Sequence, residues 1–332
     1  MAGITGQGDT FDLPNYTGEL FCVTPQDTPF LSAIGGLTGG EAANGTTGFS
    51  WQTYDLRTVS ATRQRLEGAD AQTAEARVRA NVENVLEIHQ EALELSYTKL
   101  AAINQIDASS RSHGNAGSLS GTNPITNELD WQLKQHIISL ARDIEYTFIN
   151  GTYSDPATNA TARRTRGLLE AISTNSVDLN DANITTTGVL KDAVLDLMQE
   201  VWEAGGIQVE ETRTLICNGS VKRELTREFV TASGYAEGSR NVGGVNVTTI
   251  ETDFGKVNVM LNRHMPTDTL AVVSLEDCVP VFLPIPGKGH FFAEPLAKVG
   301  AAERVQLYGE IGLKYGNEIK HGKIIDMGGY GS

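Results

Sequence analysis

The chain is poor in cysteine. Its three cysteines, Cys22, Cys217 and Cys278, are far apart, and no two have the spacing of a zinc site or a redox pair. Disulfides belong mainly to oxidising compartments, so we expect three reduced thiols in a cytosolic protein. A disulfide-stapled secreted domain and a zinc finger are therefore excluded.

The sequence also lacks export and membrane signals. Residues 1–10 contain neither a basic start nor an apolar run, so we expect no signal peptide. No stretch approaches the roughly 20 consecutive apolar residues of a membrane-spanning helix. We therefore expect no membrane partner.

Positive charge is scarce. Lys plus Arg number 26 against 41 Asp plus Glu, which gives a formal net charge of −15. Affinity for nucleic acid depends largely on neutralising phosphates with Lys and Arg, so this balance argues against a protein that reads DNA or RNA sequence. It does not exclude a protein that lies beside packed DNA without binding it tightly.

Standard catalytic motifs are missing. None of the six histidines has another histidine four residues away, as the helix of a zinc protease requires; they are His89, His113, His136, His264, His290 and His321. The segment 316–323 resembles a phosphate loop, but Ile324 stands where Ser or Thr is needed. There is no Gly-x-Ser-x-Gly elbow. We predict no catalytic, cofactor-binding or metal-binding residue and no cofactor, with an enzyme carrying an acidic site as a weaker alternative.

The composition is that of a globular protein, with 40% hydrophobic and 20% charged residues, and 332 residues suggest about two domains or one large one. The N-terminal part departs from this pattern. Residues 1–48 hold short apolar clusters among Gly, Pro and Thr, and we interpret them as an extended arm. Residues 49–96 are interpreted as a long two-stranded excursion with a charged tip, and the change of apolar parity between Ile88 and Leu93 predicts a bend.

Periodicity predicts three helices. Asn123-Pro124 is a favourable helix start, and one apolar stripe then continues to Phe148, which predicts a helix over about 124–150, roughly 39 Å long. A second helix is expected over 189–204, before a Gly-Gly pair, and a third over 221–230.

Alternation of apolar residues predicts strands in the C-terminal part. The segments 245–249 and 257–261 flank Asp253-Phe254-Gly255 and are typical of a hairpin. Residues 305–315 keep their apolar side chains on one parity, which predicts a long, half-exposed strand. Helices and strands in this arrangement indicate an α+β fold.

One basic cluster stands out. Arg163, Arg164 and Arg166 lie in a polar loop that follows the longest predicted helix. They could contact DNA or an acidic surface of a neighbouring copy of the chain. Because every copy of the chain offers many carboxylates, charge complementarity favours the neighbour.

The order of these elements, together with short local strings, resembles the major capsid (major head) proteins of tailed bacteriophages with the Hong Kong 97-type fold. The resemblance covers nearly the whole chain and depends on the order and spacing of the strings. They are Thr28-Pro29-Phe30-Leu31-Ser32, Ile34-Gly35, Phe49-Ser50-Trp51, Glu67-Gly68-Ala69, Arg142-Asp143-Ile144-Glu145, Gly167-Leu168, Trp202-Glu203-Ala204-Gly205-Gly206, Thr252-Asp253-Phe254-Gly255, Asn262-Arg263-His264-Met265-Pro266 and Gly316-Asn317-Glu318.

The resemblance implies a domain organisation. It consists of an N-terminal arm (1–48), an extended loop over a neighbouring subunit (49–96), a peripheral domain with a spine helix at about 124–150 (97–167 and 286–316), and an axial domain (168–285 and 317–332). It also implies a non-enzymatic subunit that forms hexamers and pentamers of an icosahedral head around double-stranded DNA. Such a subunit is assembled in the host cytoplasm and resides in the virion, and cement, scaffolding and portal proteins are further expected partners.

On this reading we expect a set of assembly anchors: Phe11, Tyr16, Phe21, Phe30, Trp51, Arg63, Arg65 and Arg77. The alternative for the aromatic residues is packing within their own chain. The first lysine in the sequence is Lys99, so we expect no covalent crosslink through a lysine of the extended loop. We also expect no fused scaffold and no maturation cleavage. Another phage structural protein, of tail or decoration type, remains the alternative function.

Overall fold

The computed structural model describes residues 22–44, 47–71, 73, 75–101, 128–180, 182–232 and 249–328. The described helices are α1 (Pro29–Ile34), α2 (Tyr97–Ala101), α3 (Glu128–Asn150), α4 (Leu168–Ala171), α5 (Val189–Glu203) and α6 (Gly219–Ala232). The described strands are β1 (Glu41–Ala42), β2 (Gly48–Tyr54), β3 (Arg79–Val85), β4 (Glu87–Ser96), β5 (Ser176–Asp178), β6 (Arg213–Cys217), β7 (Thr249–Thr252), β8 (Gly255–Leu261), β9 (Leu270–Ser274), β10 (Val279–Phe282), β11 (Phe291–Pro295), β12 (Ala302–Lys314) and β13 (Gly322–Ile325).

The chain divides into two compact units. The larger comprises Asp27–Gln90, Leu140–Phe292 and Tyr308–Ser332. The smaller comprises Met1–Gln26, Glu91–Ser139 and Ala293–Leu307. None of the described helices is both long enough and apolar enough to cross a lipid bilayer.

A six-stranded mixed sheet forms the centre of the larger unit, with the order β5-β13-β9-β6-β8-β7. Both β6 and β9 are buried along their whole length, as expected for strands covered on both faces. The apolar stripes of α5 and α6 pack on this sheet, with Leu197, Val201 and Leu225 fully buried. The predicted second helix is confirmed to within one residue at its end, and the third extends two residues further at each end than predicted.

The predicted hairpin is confirmed at its turn and second strand by β7 and β8, which pair antiparallel with Thr252 opposite Gly255; residues 245–248 of its predicted first strand lie outside the described residues. Gly255 has φ +99, and a Cβ built on it would lie 2.7 Å from Nη1 of Arg213. Arg213 donates from that Nη1 to the carbonyl of Phe254. Glycine is therefore required here both for the backbone conformation and for the space that the guanidinium occupies.

A second sheet has the order β1-β10-β12-β11, with β4 also pairing with β12. The long C-terminal strand is confirmed, but it is not half-exposed throughout, because residues 309–313 are buried on both faces. The prediction considered only one face and missed that Gly312 lies under Phe49, where a Cβ would meet Cε1 of the ring at 2.7 Å.

The longest described helix, α3, has 23 residues and spans about 35 Å. Its C-terminal part buries Ile144, Phe148 and Ile149 against α1, which confirms the predicted apolar stripe there. The predicted helix start at Asn123-Pro124 lies outside the described residues.

The bend predicted between Ile88 and Leu93 is wrong in position. In β4 His89 is buried and Ile88 is 46% exposed, so the parity of this strand already matches that of Leu93 and Leu95. The parity changes instead where β3 ends, at Asn84, Val85 and Leu86, three consecutive buried residues that precede β4. The prediction misplaced the bend because it took Ile88, an apolar residue, to be buried. Which side chains of this strand are buried depends on how the sheet packs, and not on side-chain hydropathy alone.

The smaller unit is held partly by ion pairs. Arg304 Nη2 lies 2.7 Å from a carboxylate oxygen of Glu94, and the ring of His136 lies 2.5 Å from Glu91. These side chains are partly exposed, so the pairs contribute little individually.

Candidate assembly surface

The carboxylate of Glu145 ties α1 to α3 within the larger unit. The backbone N–H groups of Phe30 and Leu31 donate to its two oxygens at 2.9 and 2.6 Å, and Asn262 Nδ2 also donates to Oε1. Glu145 is fully buried. The first turn of α1 thereby finds acceptors for N–H groups that a helix start leaves unpaired, and residues 29–34 are tied to α3.

Burial raises the pKa of Glu145, while its three hydrogen bonds act in the opposite direction. All three partners are donors, so the ionised carboxylate is the form that they bind. Beside this junction, Arg263 Nε lies 2.9 Å from Oδ1 of Asp27. Three separate strings of the sequence, around Pro29, Glu145 and Asn262, thus meet at one place.

Asn84 fixes the base of the two-stranded ribbon formed by β2 and β3. Its Nδ2 donates to the carbonyls of Leu313 at 2.7 Å and Arg166 at 3.2 Å. Its Oδ1 accepts from the N–H groups of Arg166 at 2.8 Å and Val85 at 2.9 Å. The side chain is only 1% exposed, and all its hydrogen-bonding capacity is used.

Trp51 forms the second attachment of the ribbon base. Its indole Nε1 donates to the carbonyl of Gly316 at 2.6 Å. Its ring lies edge-to-face with Tyr315 at 5.0 Å between centroids and stacks on Phe49 at 5.9 Å. Trp51, predicted as an assembly anchor, makes these contacts within its own chain and stays partly exposed, so its role as an anchor stays a prediction.

Beyond this base the ribbon extends into solvent. Every described residue from 54 to 81 is exposed. Arg63 and Arg77 both pair with Glu75, at 2.8 and 3.0 Å, and these bonds hold the pKa of Glu75 below its usual value. Arg65 is also exposed. We call residues 54–81 the ribbon tip; it carries all three predicted arginine anchors.

The ribbon tip also exposes large apolar side chains. Leu56 is 79% exposed, Val59 100%, Leu66 85% and Val78 81%. Single exposed apolar residues are ordinary, but several on one slender segment indicate a surface that another protein covers. The ribbon tip thus carries charged side chains interspersed with large apolar ones, and it has no core of its own.

The basic triplet does not form a continuous patch. Arg163 Nη2 lies 3.1 Å from Oε2 of Glu310, whose other oxygen accepts from Tyr308. Burial and the hydrogen bond to Glu310 raise the pKa of Tyr308 to about 12. The Arg166 guanidinium lies 4.4 Å from the ring centroid of Tyr153. Arg163 and Arg166 therefore have partners inside the chain, and Arg164 is the member of the triplet that the structure leaves exposed.

The remaining predicted anchors divide into two groups. Phe11, Tyr16 and Phe21 lie outside the described residues. Phe30 has no exposed surface in the single chain, so it can bury none against a neighbour and belongs to the core beneath α1. Sequence reasoning missed Glu145 and Asn84 as attachment residues, although Glu145 lies in one of the strings that carried the resemblance.

A family model and a known relative both match nearly the whole chain. The family model described as SU10 major capsid protein matches residues 3–328. The major capsid protein of Escherichia phage Phieco32 is 24% identical over 373 residues, which cover 95% of this chain and 94% of that protein.

Solved capsid structures share the fold. The capsid asymmetric unit of cyanophage A-1(L) aligns with a TM-score of 0.63 at 12% identity, covering 95% of this chain and 97% of that one. The holo-SrpI encapsulin complex from Synechococcus elongatus PCC 7942 aligns with a TM-score of 0.54 at 11% identity, covering 96% and 94%. These likenesses confirm the predicted Hong Kong 97-type fold. With the family match over almost its full length, the chain belongs to the SU10 major capsid protein family and is a component of the phage virion shell.

Proposed function

We propose that this major capsid protein forms the hexamers and pentamers of an icosahedral head that encloses double-stranded DNA, and that it carries no enzymatic activity. Cement, scaffolding and portal proteins are its further expected partners. The proposal extends the family assignment to the geometry of assembly. Arg164 is the proposed contact of the basic loop, either with packaged DNA or with a neighbouring acidic surface.

The observation that carries the proposal is the ribbon tip. A two-stranded ribbon is marginally stable by itself and needs something to pack on. Burial of a large aliphatic side chain contributes roughly 1.5–3 kcal/mol, so covering Leu56, Val59, Leu66 and Val78 offers a substantial gain towards the cost of association. A neighbouring subunit supplies such a cover in a closed shell.

The rest of the domain organisation follows as part of the proposal. Residues 1–48 form the arm and 49–96 the loop that lies over a neighbour. Residues 97–167 with 286–316 form the peripheral domain, and 168–285 with 317–332 form the axial domain. Repetition of weak contacts around a closed symmetric shell makes the whole assembly stable.

The test is removal of the ribbon tip with its base preserved. Replacing residues 57–76 with a short Gly-Ser linker removes only exposed side chains among the residues of this range that the structure describes, and it leaves β2, β3 and Asn84 intact. The subunit should remain soluble with an unchanged thermal unfolding midpoint, yet form no shells by sedimentation and negative-stain microscopy.

A loop-preserving variant serves as the matched comparison. Replacing Leu56, Val59, Leu66 and Val78 with serine keeps the chain length and all charges, and it should reduce shell formation if apolar burial drives the contact. Shells of normal size and yield from the deletion variant would contradict the role assigned to the ribbon tip.

A further inference from the structure

The two ends of the six-stranded sheet in the larger unit differ in charge. Strands β6 and β8 are parallel, with Thr214 opposite Asn258 and Cys217 opposite Leu261. Arg213 and the β7–β8 turn therefore lie at one end of the sheet, and Leu261 and the start of α6 lie at the other. With about 3.3 Å per residue, the ends are separated by roughly 15 Å along these strands.

The first end is acidic and carries an exposed aromatic ring. Trp202, 52% exposed at the end of α5, lies 6.2 Å from the ring of Phe254 in the β7–β8 turn. Glu203 and Asp253 adjoin these two aromatic residues in the chain and are exposed, as are Glu210 and Glu211 just before β6; Lys256 is an exposed cation of the same hairpin. We call this the acidic end, made of Trp202, Glu203, Glu210, Glu211, Asp253 and Phe254.

Two contacts hold the acidic end in place. Arg213, itself buried, donates to the carbonyl of Phe254 and fixes the turn. Asn258 Nδ2 donates to the carbonyl of Glu211 at 3.1 Å. The aromatic pair is therefore presented on a rigid support, which lowers the entropic cost of binding.

The other end is basic. The first two turns of α6 form an open groove with the end of β8, and Lys222, Arg223 and Arg227 line it together with Leu261, which is 45% exposed. Glu224 also lines the groove and lies 3.2 Å from Arg227. Arg227 further donates to the carbonyl of Thr185. We call Lys222, Arg223, Arg227 and Leu261 the basic end. Its three cations outnumber Glu224, the carboxylate that lines the same groove.

We propose that the acidic end of one copy docks on the basic end of the next copy, in a head-to-tail contact around each capsomer. Rings of five or six subunits require heterologous contacts, in which two different patches of the same chain meet. The two ends supply such a pair, with opposite charge and an apolar element in each. An acidic patch would repel its own kind, so the contact is also directional. This inference rests on the proposed hexamers and pentamers.

Charge reversal of each end, separately and together, tests the contact. K222E/R223E makes the basic end acidic and takes the formal net charge from −15 to −19. E210K/E211K leaves the acidic end with two lysines and two carboxylates and so removes its negative charge. The four-fold variant pairs the reversed carboxylates of one end with the reversed cations of the other and restores the original net charge. K99E/K134E is the control, because it gives the same −19 by replacing two exposed lysines outside both ends.

Each full-length variant is produced together with the other head proteins of its phage, and shells are counted by sedimentation and negative-stain microscopy. We expect at least about tenfold fewer shells from each single-end variant, near-normal yield from the control, and recovery in the four-fold variant. Unchanged circular dichroism and thermal unfolding of the soluble subunits would show that folding is intact.

The contrary outcomes are distinct. Normal shells from both single-end variants, or no recovery in the four-fold variant, would overturn the contact while leaving the proposed function in place. Loss of packaged DNA in K222E/R223E alone, with normal shells, would assign the basic end to DNA and overturn the contact. Failure of the wild-type chain to form any shell in the same system would contradict the proposed function itself.

Discussion

We expect replacement of Glu145 to be the change that most clearly releases α1 from α3. In Glu145→Ala the N–H groups of Phe30 and Leu31 and the amide of Asn262 lose their common acceptor. The junction is fully buried, so water cannot take the place of the carboxylate without rearrangement. Glu145→Gln keeps the shape but places an NH2 group where one oxygen accepted a hydrogen bond.

The magnitude follows from the number of donors left unpaired. A buried donor without a partner costs about 1–3 kcal/mol, and truncation adds a small cavity. Movement of α1 would relieve part of this, so we expect Glu145→Ala to lower the free energy of unfolding by about 3–5 kcal/mol. Glu145→Gln can keep the two bonds to one oxygen and should cost about 1–3 kcal/mol.

Urea unfolding of the soluble subunit, followed by circular dichroism, measures the free energy. Limited proteolysis reports the arm, and cleavage within residues 22–44 should accelerate in Glu145→Ala more than cleavage elsewhere. Arg142→Ala, a neighbour on the same helix, is the control and should change neither. An unfolding free energy within about 0.5 kcal/mol of wild type for Glu145→Ala would refute the role given to this carboxylate.

Three further predictions concern the larger unit. His321 is fully buried, accepts a hydrogen bond from the Ser274 N–H at Nδ1 and donates from Nε2 to the Tyr315 carbonyl, and burial lowers its pKa. The unfolded chain therefore binds a proton at this residue before the folded chain does, and the free energy of unfolding should fall by up to about 1.4 kcal/mol per pH unit as the pH drops below 6.5. Urea titrations of His321→Gln should lack this pH-dependent component. Asn84→Ala should lower the unfolding free energy by about 2–4 kcal/mol and speed hydrogen exchange in β3, and unchanged exchange would argue against its bracing role. Trp51→Phe removes the bond to the Gly316 carbonyl and shrinks the ring that packs on Tyr315 and Phe49, and it should cost about 1–3 kcal/mol in thermal unfolding; no change would mean that neither the indole N–H nor the larger ring contributes to stability.

The sequence alone predicted the features that depend on neighbouring residues. The apolar stripe of α5 and the Gly-Gly pair after it defined that helix to within a residue, and the turn at Asp253-Phe254-Gly255 located the hairpin. Helical period, strand alternation and turn chemistry are local properties, and so the sequence expresses them directly. The order of these elements, together with short local strings, also indicated the capsid family.

Only the tertiary structure decided which side chains meet. Glu145 and Phe30 are 115 positions apart in the chain, and no local pattern reveals that one accepts from the other. The same holds for Arg163, which finds Glu310 inside the chain, and for the parity of β4, which depends on the sheet that covers it. Burial and long-range pairing are set by how elements pack, and the free energy of a buried polar group depends on partners that sequence distance conceals.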